Sequence, residues 1–318
     1  MQTPAFPQPV RMTDDIWQID LLEQGLRYRT GAYVIVDDKP TLIETGSANS
    51  HDALLAGLSA VGLTPQDLAY VVVTHVHLDH AGGAGQLMAK APQAQLVVHP
   101  RGMRHMADPS KLWAGAKQVY GTKTEALFGG VVPVQSERIL VREHEQTLSV
   151  GKRTLQFFDS PGHAKHHFTI LSEVDRVLFA GDAVGILYPT DFTGFPFDFI
   201  APSSSPIDFD PAAVHNTLDM LRELPFDWVY HAHFGKSLKH EAIDHTRRLA
   251  DAFAAMIGRI YTPDITTQDV VEELRRLIAD DLQRQGKTPL DMSVLDIDVV
   301  LDALGLVYYE KKRRGSNG

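Results

Sequence analysis

The sequence predicts an α/β protein with a helical C-terminal extension, and three observations predict it. Short β-branched runs alternate with segments of helical period over about the first 240 residues. Histidine and aspartate recur directly after several of those runs, where open α/β sheets place their sites. Beyond His240 the period is helical only. With 318 residues, 44% of them hydrophobic and 22% charged, the chain can bury a sizeable core and has neither a disordered nor a fibrous composition.

The elements follow in order. Ile16 to Leu22, Ala32 to Val36 and Thr41 to Ile43 have strand composition, with Asp37-Asp38-Lys39-Pro40 as a hairpin turn. Asn49 or Ser50 caps a helix to about Ala60, in which Leu54, Leu55 and Leu58 repeat at helical spacing. Thr64-Pro65 opens a short turn or helix, and Tyr70 to Val73 is an apolar run suited to a buried strand. Gln95 to Val98 is a further strand. Pro100 to about Phe128 is mostly helical and carries Met103, Met106, Trp113, Tyr120 and Phe128 as core or as an apolar pocket wall.

Strands are expected again at Ile139 to Val141, Thr154 to Phe158, Phe168 to Leu171, Val177 to Phe179 and Phe226 to Tyr230. Gly185 to Asp208 is expected to be a long loop rich in proline and aromatics, a lid or pocket wall. Asp210-Pro211 starts a helix to about Leu224. Thr266 or Thr267 caps another to about Leu282, and one more runs from about Asp291 to Leu304. Lys311-Lys312-Arg313-Arg314 begins a basic tail expected to be solvated and disordered. The expected division is a catalytic domain over residues 1–255 and a helical extension over 256–318.

Composition removes several functions. There are no cysteines, so disulfides, thiolate zinc sites, iron–sulfur clusters and cysteine nucleophiles are all excluded. A net charge of -10 opposes binding along a phosphate backbone, so no nucleic-acid partner is expected. The N-terminal residues have no basic start before an apolar stretch, and no run approaches the roughly 18 apolar residues of a membrane span. The expectation is a cytoplasmic protein without a membrane partner.

The chemistry is concentrated after Val73, in Thr74-His75-Val76-His77-Leu78-Asp79-His80. Three imidazoles and a carboxylate in six residues are the nitrogen and oxygen ligands that divalent metals want. With 15 His and 40 acidic residues in the chain, chance yields this pattern in about four sequences per thousand of this length. His75 and His77 fall on one side by the two-residue period, while Asp79 and His80 fall on the next turn and can face a second site. Six residues do not complete two coordination spheres. Three other strand ends supply further donors: Pro161-Gly162-His163, Gly181-Asp182 and His231-Ala232-His233.

These four motifs together resemble the metallo-β-lactamase superfamily, in order and in interval, over about residues 15 to 240. The resemblance implies a four-layer αβ/βα sandwich with metals at one edge between two sheets. It implies that His75, His77 and His163 hold one metal, that Asp79, His80 and His233 hold the other, and that Asp182 bridges them. The family often braces its site with an aspartate in an early Asp-x-Gly turn. Here Glu44-Thr45-Gly46 stands instead, and Glu44 takes that bracing role. His231 and His233 share a strand face; the family's His-x-Gly ending favours His233 as the ligand, with His231 behind it. His166 and His167 follow His163, and His167 resembles a family histidine that supports the site without ligating.

Within the superfamily, the absence of cysteine removes one β-lactamase branch, and the N-terminus argues against a periplasmic lactamase. Flavin-linked diiron members usually carry Glu where His77 stands, and RNA-processing members bring a nucleic-acid-binding region. The glyoxalase II-like and lactonase-like hydrolases remain. The segment from His105 to Trp113 and the 195–209 loop are similar to a prokaryotic subfamily of hydrolases with poorly assigned substrates. His105, Tyr188 and Trp113 are the candidate substrate contacts.

The expected activity is hydrolysis of an ester-like bond, thioester or lactone, by a metal-bridging hydroxide, with Asp79 or Asp182 orienting it or taking its proton. Two divalent ions are expected, zinc by default, with iron and manganese tolerating the same ligands. The alternatives are a mononuclear iron sulfur dioxygenase using His75, His163 and Asp182, and a catalytically marginal effector protein that binds a small molecule. The partner is a small-molecule substrate, and the C-terminal helices leave room for a homodimer.

Overall fold

The computed structural model describes residues 6–289 and 291–315. The chain folds as two compact units. The first takes the residues up to Asp159 together with His166–Gly181 and Pro225–Lys236; the second takes Ser160–Lys165, Asp182–Leu224 and the residues from Ser237 on.

In the first unit the strands Val10–Arg11, Ile16–Asp20, Gly31–Ile35, Thr41–Ile43, Tyr70–Val72, Gln95–Val98 and Ile139–Val141 form one sheet in chain order. The first four run antiparallel; from Thr41–Ile43 onward the neighbours are parallel and need crossover connections. Helices His51–Ala60 and Ala84–Lys90 are two of those connections. The second sheet places Thr147–Ser149, Thr154–Asp159, Phe168–Ser172 and Val177–Gly181 side by side as an antiparallel meander, and adds Trp228–His231 parallel to Val177–Gly181.

Why Tyr70–Val72 is apolar throughout is visible in its two faces. Val71, with Val73 beyond it, packs into a core with Leu54, Leu58 and Leu87 of the helices. Val72 points the other way, into a core with Phe157, Phe168 and Phe179 of the second sheet. The alternation is the period of two expected of a strand, but both faces are dry, so every position is hydrophobic. The unit is thus helices, sheet, sheet, with a core in each interlayer space.

The second unit is mainly helical: Pro211–Glu223, Lys239–Ile260, Thr267–Arg284 and Asp296–Gly315. Gly185–Asp208, expected to be a loop, instead contains a hairpin of Ile186–Tyr188 with Phe199–Ala201 and a short helix Thr190–Thr193. Three-residue strands show no usable periodicity, so proline and glycine dominated the sequence signal. The basic run also differs from expectation. The last helix continues through Lys311–Arg314, and Arg313 and Arg314 both hydrogen-bond the buried Glu310 carboxylate one turn back. Residues 316–318 of the expected tail lie outside the described residues. Among the described residues no helix is long and apolar enough to cross a membrane.

Candidate metal centre

The first unit builds a cluster of possible metal donors at the end of the Tyr70–Val72 strand. Val73 still donates to Val97 O, and beyond it the ladder ends, with Thr74, His75 and Val76 still buried at the C-terminal end of the strand. Glu44 ends the adjacent strand with a φ of 70°, in the left-handed region that a residue with a Cβ rarely adopts. Its carboxylate accepts from the Thr74 N–H at 3.3 Å and from the Thr74 hydroxyl. With that hydroxyl donating to Glu44, its oxygen is left to accept from His75 Nδ1 at 3.1 Å. The relay fixes the His75 tautomer and leaves Nε2 with its lone pair. Glu44 Oε1 also lies 3.7 Å from His80 Nδ1, with both side chains buried.

His77 is extended and caps the short helix Leu78–Ala81, which swings Asp79 and His80 onto the next turn. The ring of His75 packs 4.6 Å from that of His77 and 4.1 Å from that of His80, so the three imidazoles form one cluster. His233 arrives from beyond the Trp228–His231 strand, and its Nε2 stands 3.7 Å from Asp79 Oδ2; His80 Nε2 is also 3.7 Å from that oxygen. One donor atom from each of Asp79, His80 and His233 lies within 4.8 Å of the others. Separations of 3.7 Å exceed a hydrogen bond. They approach the roughly 3.4 Å between ligands that each sit about 2.1 Å from a tetrahedral ion. Neutral nitrogens with one carboxylate, mostly buried, suit a divalent cation.

His231 is the last residue of the Trp228–His231 strand; its carbonyl accepts from the Tyr33 hydroxyl at 2.7 Å and its N–H donates to Gly235 O. His167 is fully buried and stacks on His75 at 4.8 Å. The close fit is permitted by Gly181, whose φ is 51° and where a Cβ would stand 2.5 Å from both His167 Nε2 and Thr74 Oγ1. His166 sits with its ring 5.3 Å from His77 and 6.2 Å from His105, which brings His105 toward the cluster. Trp113 is half-buried, with Lys117 of its own helix over its ring.

In the second unit His163 and Asp182 face one another, Nε2 to Oδ2 at 3.5 Å, both buried. His163 Nδ1 lies 3.0 Å from Ser203 O. The approach is set by Gly162, where a Cβ would fall 2.8 Å from the backbone of Val214, and by Asp210 N–H donating to Gly162 O. Tyr188 is buried in a stack with Phe199 and Phe192.

Several contributors carry no mark in the sequence. Thr74 looks like an ordinary strand-end residue, and only the fold shows it relaying Glu44 to His75. Glu23 is another. It is buried on a turn where Leu22 and Gln24 have positive φ, accepts from Ser47 N–H and the Ser50 hydroxyl, and is raised above the usual carboxylate range by burial and by the charge of Asp79.

Residues 28–233 match the family model of the metallo-beta-lactamase superfamily. A metallo-beta-lactamase fold-containing protein from Sulfurisphaera tokodaii is 28% identical over 160 residues, 49% of this chain and 57% of that protein. A nitric oxide reductase from Moorella thermoacetica is 33% identical over 192 residues, 56% of this chain and 42% of that one. A probable metallo-hydrolase from Bacillus subtilis is 25% identical over 174 residues, 54% of this chain and 70% of that one. The matched stretch thus spans less than two thirds of the first two relatives. Among solved structures, a metallo-beta-lactamase family protein from Thermus thermophilus superposes with a TM-score of 0.69 at 19% identity, covering 96% of this chain and 95% of that one.

Proposed function

The chain belongs to the metallo-beta-lactamase superfamily, and from that premise we propose that it is a metal-dependent hydrolase of an ester-like bond, a thioester or a lactone. The observation that carries the reading is the convergence of Asp79, His80 and His233 on one point, with His75 and His77 packed against them. In this reading His75, His77 and His163 hold one divalent ion, Asp79, His80 and His233 hold a second, and Asp182 is shared. Asp182 is supported by its place in the chain: it follows Gly181 by one peptide bond, and Gly181 stands against Thr74 and His167. Zinc is the default ion for this donor set.

Bound there, divalent ions supply a water acidified toward neutrality and a Lewis acid for a carbonyl oxygen. The chain's own residues do the rest. Asp79, about a third exposed on the first turn of its helix, is the carboxylate best placed to hold or pass a proton at the open side. Glu44 and Thr74 keep His75 in one tautomer. His105, next to His166, is the best-supported of the substrate contacts.

The test is a screen of thioesters, lactones and phosphodiesters with metal-loaded protein. Expected is turnover of one ester-like class, abolished by chelator and reduced at least about 100-fold in Asp79→Ala. Phosphodiester turnover alone would contradict the substrate class. A second reading, redox chemistry at an iron-loaded site, is favoured by the likeness to a protein named nitric oxide reductase; consumption of oxygen or nitric oxide with no hydrolysis would select it.

A further inference from the structure

The last helix reaches toward His163 through a single peptide group. Asp302, buried on helix Asp296–Gly315, accepts from the Ser204 N–H at 2.6 Å and from the Ser204 hydroxyl at 2.8 Å, both on Oδ1. The carbonyl of that same peptide group is Ser203 O, the partner of His163 Nδ1 at 3.0 Å. In a trans peptide the N–H and C=O point in opposite directions within one rigid plane, and none of the described peptide bonds is cis. Holding Ser204 N–H from one side therefore aims Ser203 C=O at the imidazole on the other.

Two further contacts close the arrangement. Ser205 donates its hydroxyl to His163 O at 2.8 Å, so the strap grips the histidine at ring and backbone. Gly305, one turn beyond Asp302, lets the helix touch the strap: a Cβ there would fall 1.8 Å from Ser204 O. Ser204 itself is fully buried, so no water competes for its hydrogen bonds to Asp302. A neutral imidazole donating from Nδ1 has its lone pair on Nε2, the nitrogen that faces Asp182.

We infer that Asp302 is a positioning residue for His163, fixing the imidazole as its Nδ1–H tautomer through the Ser203–Ser204 peptide. This rests on the reading of His163 as a metal ligand. The helical C-terminus then acts on the centre without touching the substrate. The carboxylate also polarises the peptide, which strengthens the hydrogen bond at its far end. A supporting group of this kind is worth about 10–100-fold in metal affinity.

The experiment is nitrogen NMR of histidine-labelled, metal-free protein, with zinc affinity measured by chelator competition on the same samples. Wild type is expected to show a proton on His163 Nδ1, whether or not Nε2, which faces the Asp182 carboxylate, carries a second one. Asp302→Ala is expected to show a mixture and to bind zinc at least about 10-fold more weakly. Asp302→Asn, which keeps the acceptor oxygen, should restore the tautomer, a rescue that mere loss of packing would not give. Asp302→Leu, which removes the acceptor but fills its volume, serves where Asp302→Ala does not fold and should give the same mixture. An unchanged tautomer in folded Asp302→Ala or Asp302→Leu overturns the inference, as does a mixture in either with unchanged zinc affinity. The tautomer is read without metal, so it is separate from the ligand assignment, which fails instead if His163→Ala binds zinc like wild type.

Discussion

At the scale of single residues, the site depends on small groups behind the donors as much as on the donors themselves. Gly181 is the sharpest case, because two costs coincide there: a left-handed φ and a side-chain atom with nowhere to go. Gly181→Ala should destabilise the metal-free protein by about 2–4 kcal/mol in a denaturant titration. Gly62 separates the two costs. Its φ is 80° but nothing lies within 4 Å of a Cβ, so Gly62→Ala should cost only about 1 kcal/mol. Equal costs would mean that crowding against His167 and Thr74 is not what holds Gly181. The donors were legible in the sequence because their density after one strand exceeds chance. Thr74, Glu23 and the serines at 203–205 were not, because a hydroxyl or carboxylate acquires its role only when folding brings a distant partner to it.

At the scale of elements, the sequence marks those whose side-chain chemistry is local and leaves unmarked those that depend on distant partners. Asp210 and Thr266 are both observed as caps, at the helix starts expected from an oxygen acceptor just before a helical period. Asp210 accepts from Ala212 N–H at 3.0 Å and Ala213 N–H at 3.2 Å while its own N–H holds Gly162, next to His163. Asp210→Ala should therefore cost about 1 kcal/mol in thermal unfolding, with Asp210→Asn nearly neutral. A loss under about 0.3 kcal/mol for Ala would show that solvent satisfies these amides equally well. The hairpin within 185–208 escaped because each strand is three residues long. The helical state of Lys311–Arg314 escaped because the Glu310 that neutralises the run is visible only once a helix places it one turn back.

At the scale of the whole molecule, the first unit gathers residues from four stretches of the chain, Glu44, the 74–80 segment, 166–167 and 231–233, while the second unit brings His163 and Asp182 together. The order of those stretches carries the fold family in the sequence, since each stands at or shortly after the end of a strand. What order alone does not carry is the division into two compact units, which cuts the chain between Asp159 and Ser160 and again between Gly181 and Asp182, beside the ligand motifs. Contacts distant in sequence decide that, and no local pattern encodes them.

Whether the metal site is paired is decided by counting metals per chain in protein prepared in metal-replete medium, for wild type, His80→Ala and His77→Ala. Wild type should carry two per chain and each variant about one, with chelation lowering the wild-type melting temperature because metal binds the folded state. One metal per chain in wild type, unchanged in His80→Ala, would contradict a paired site.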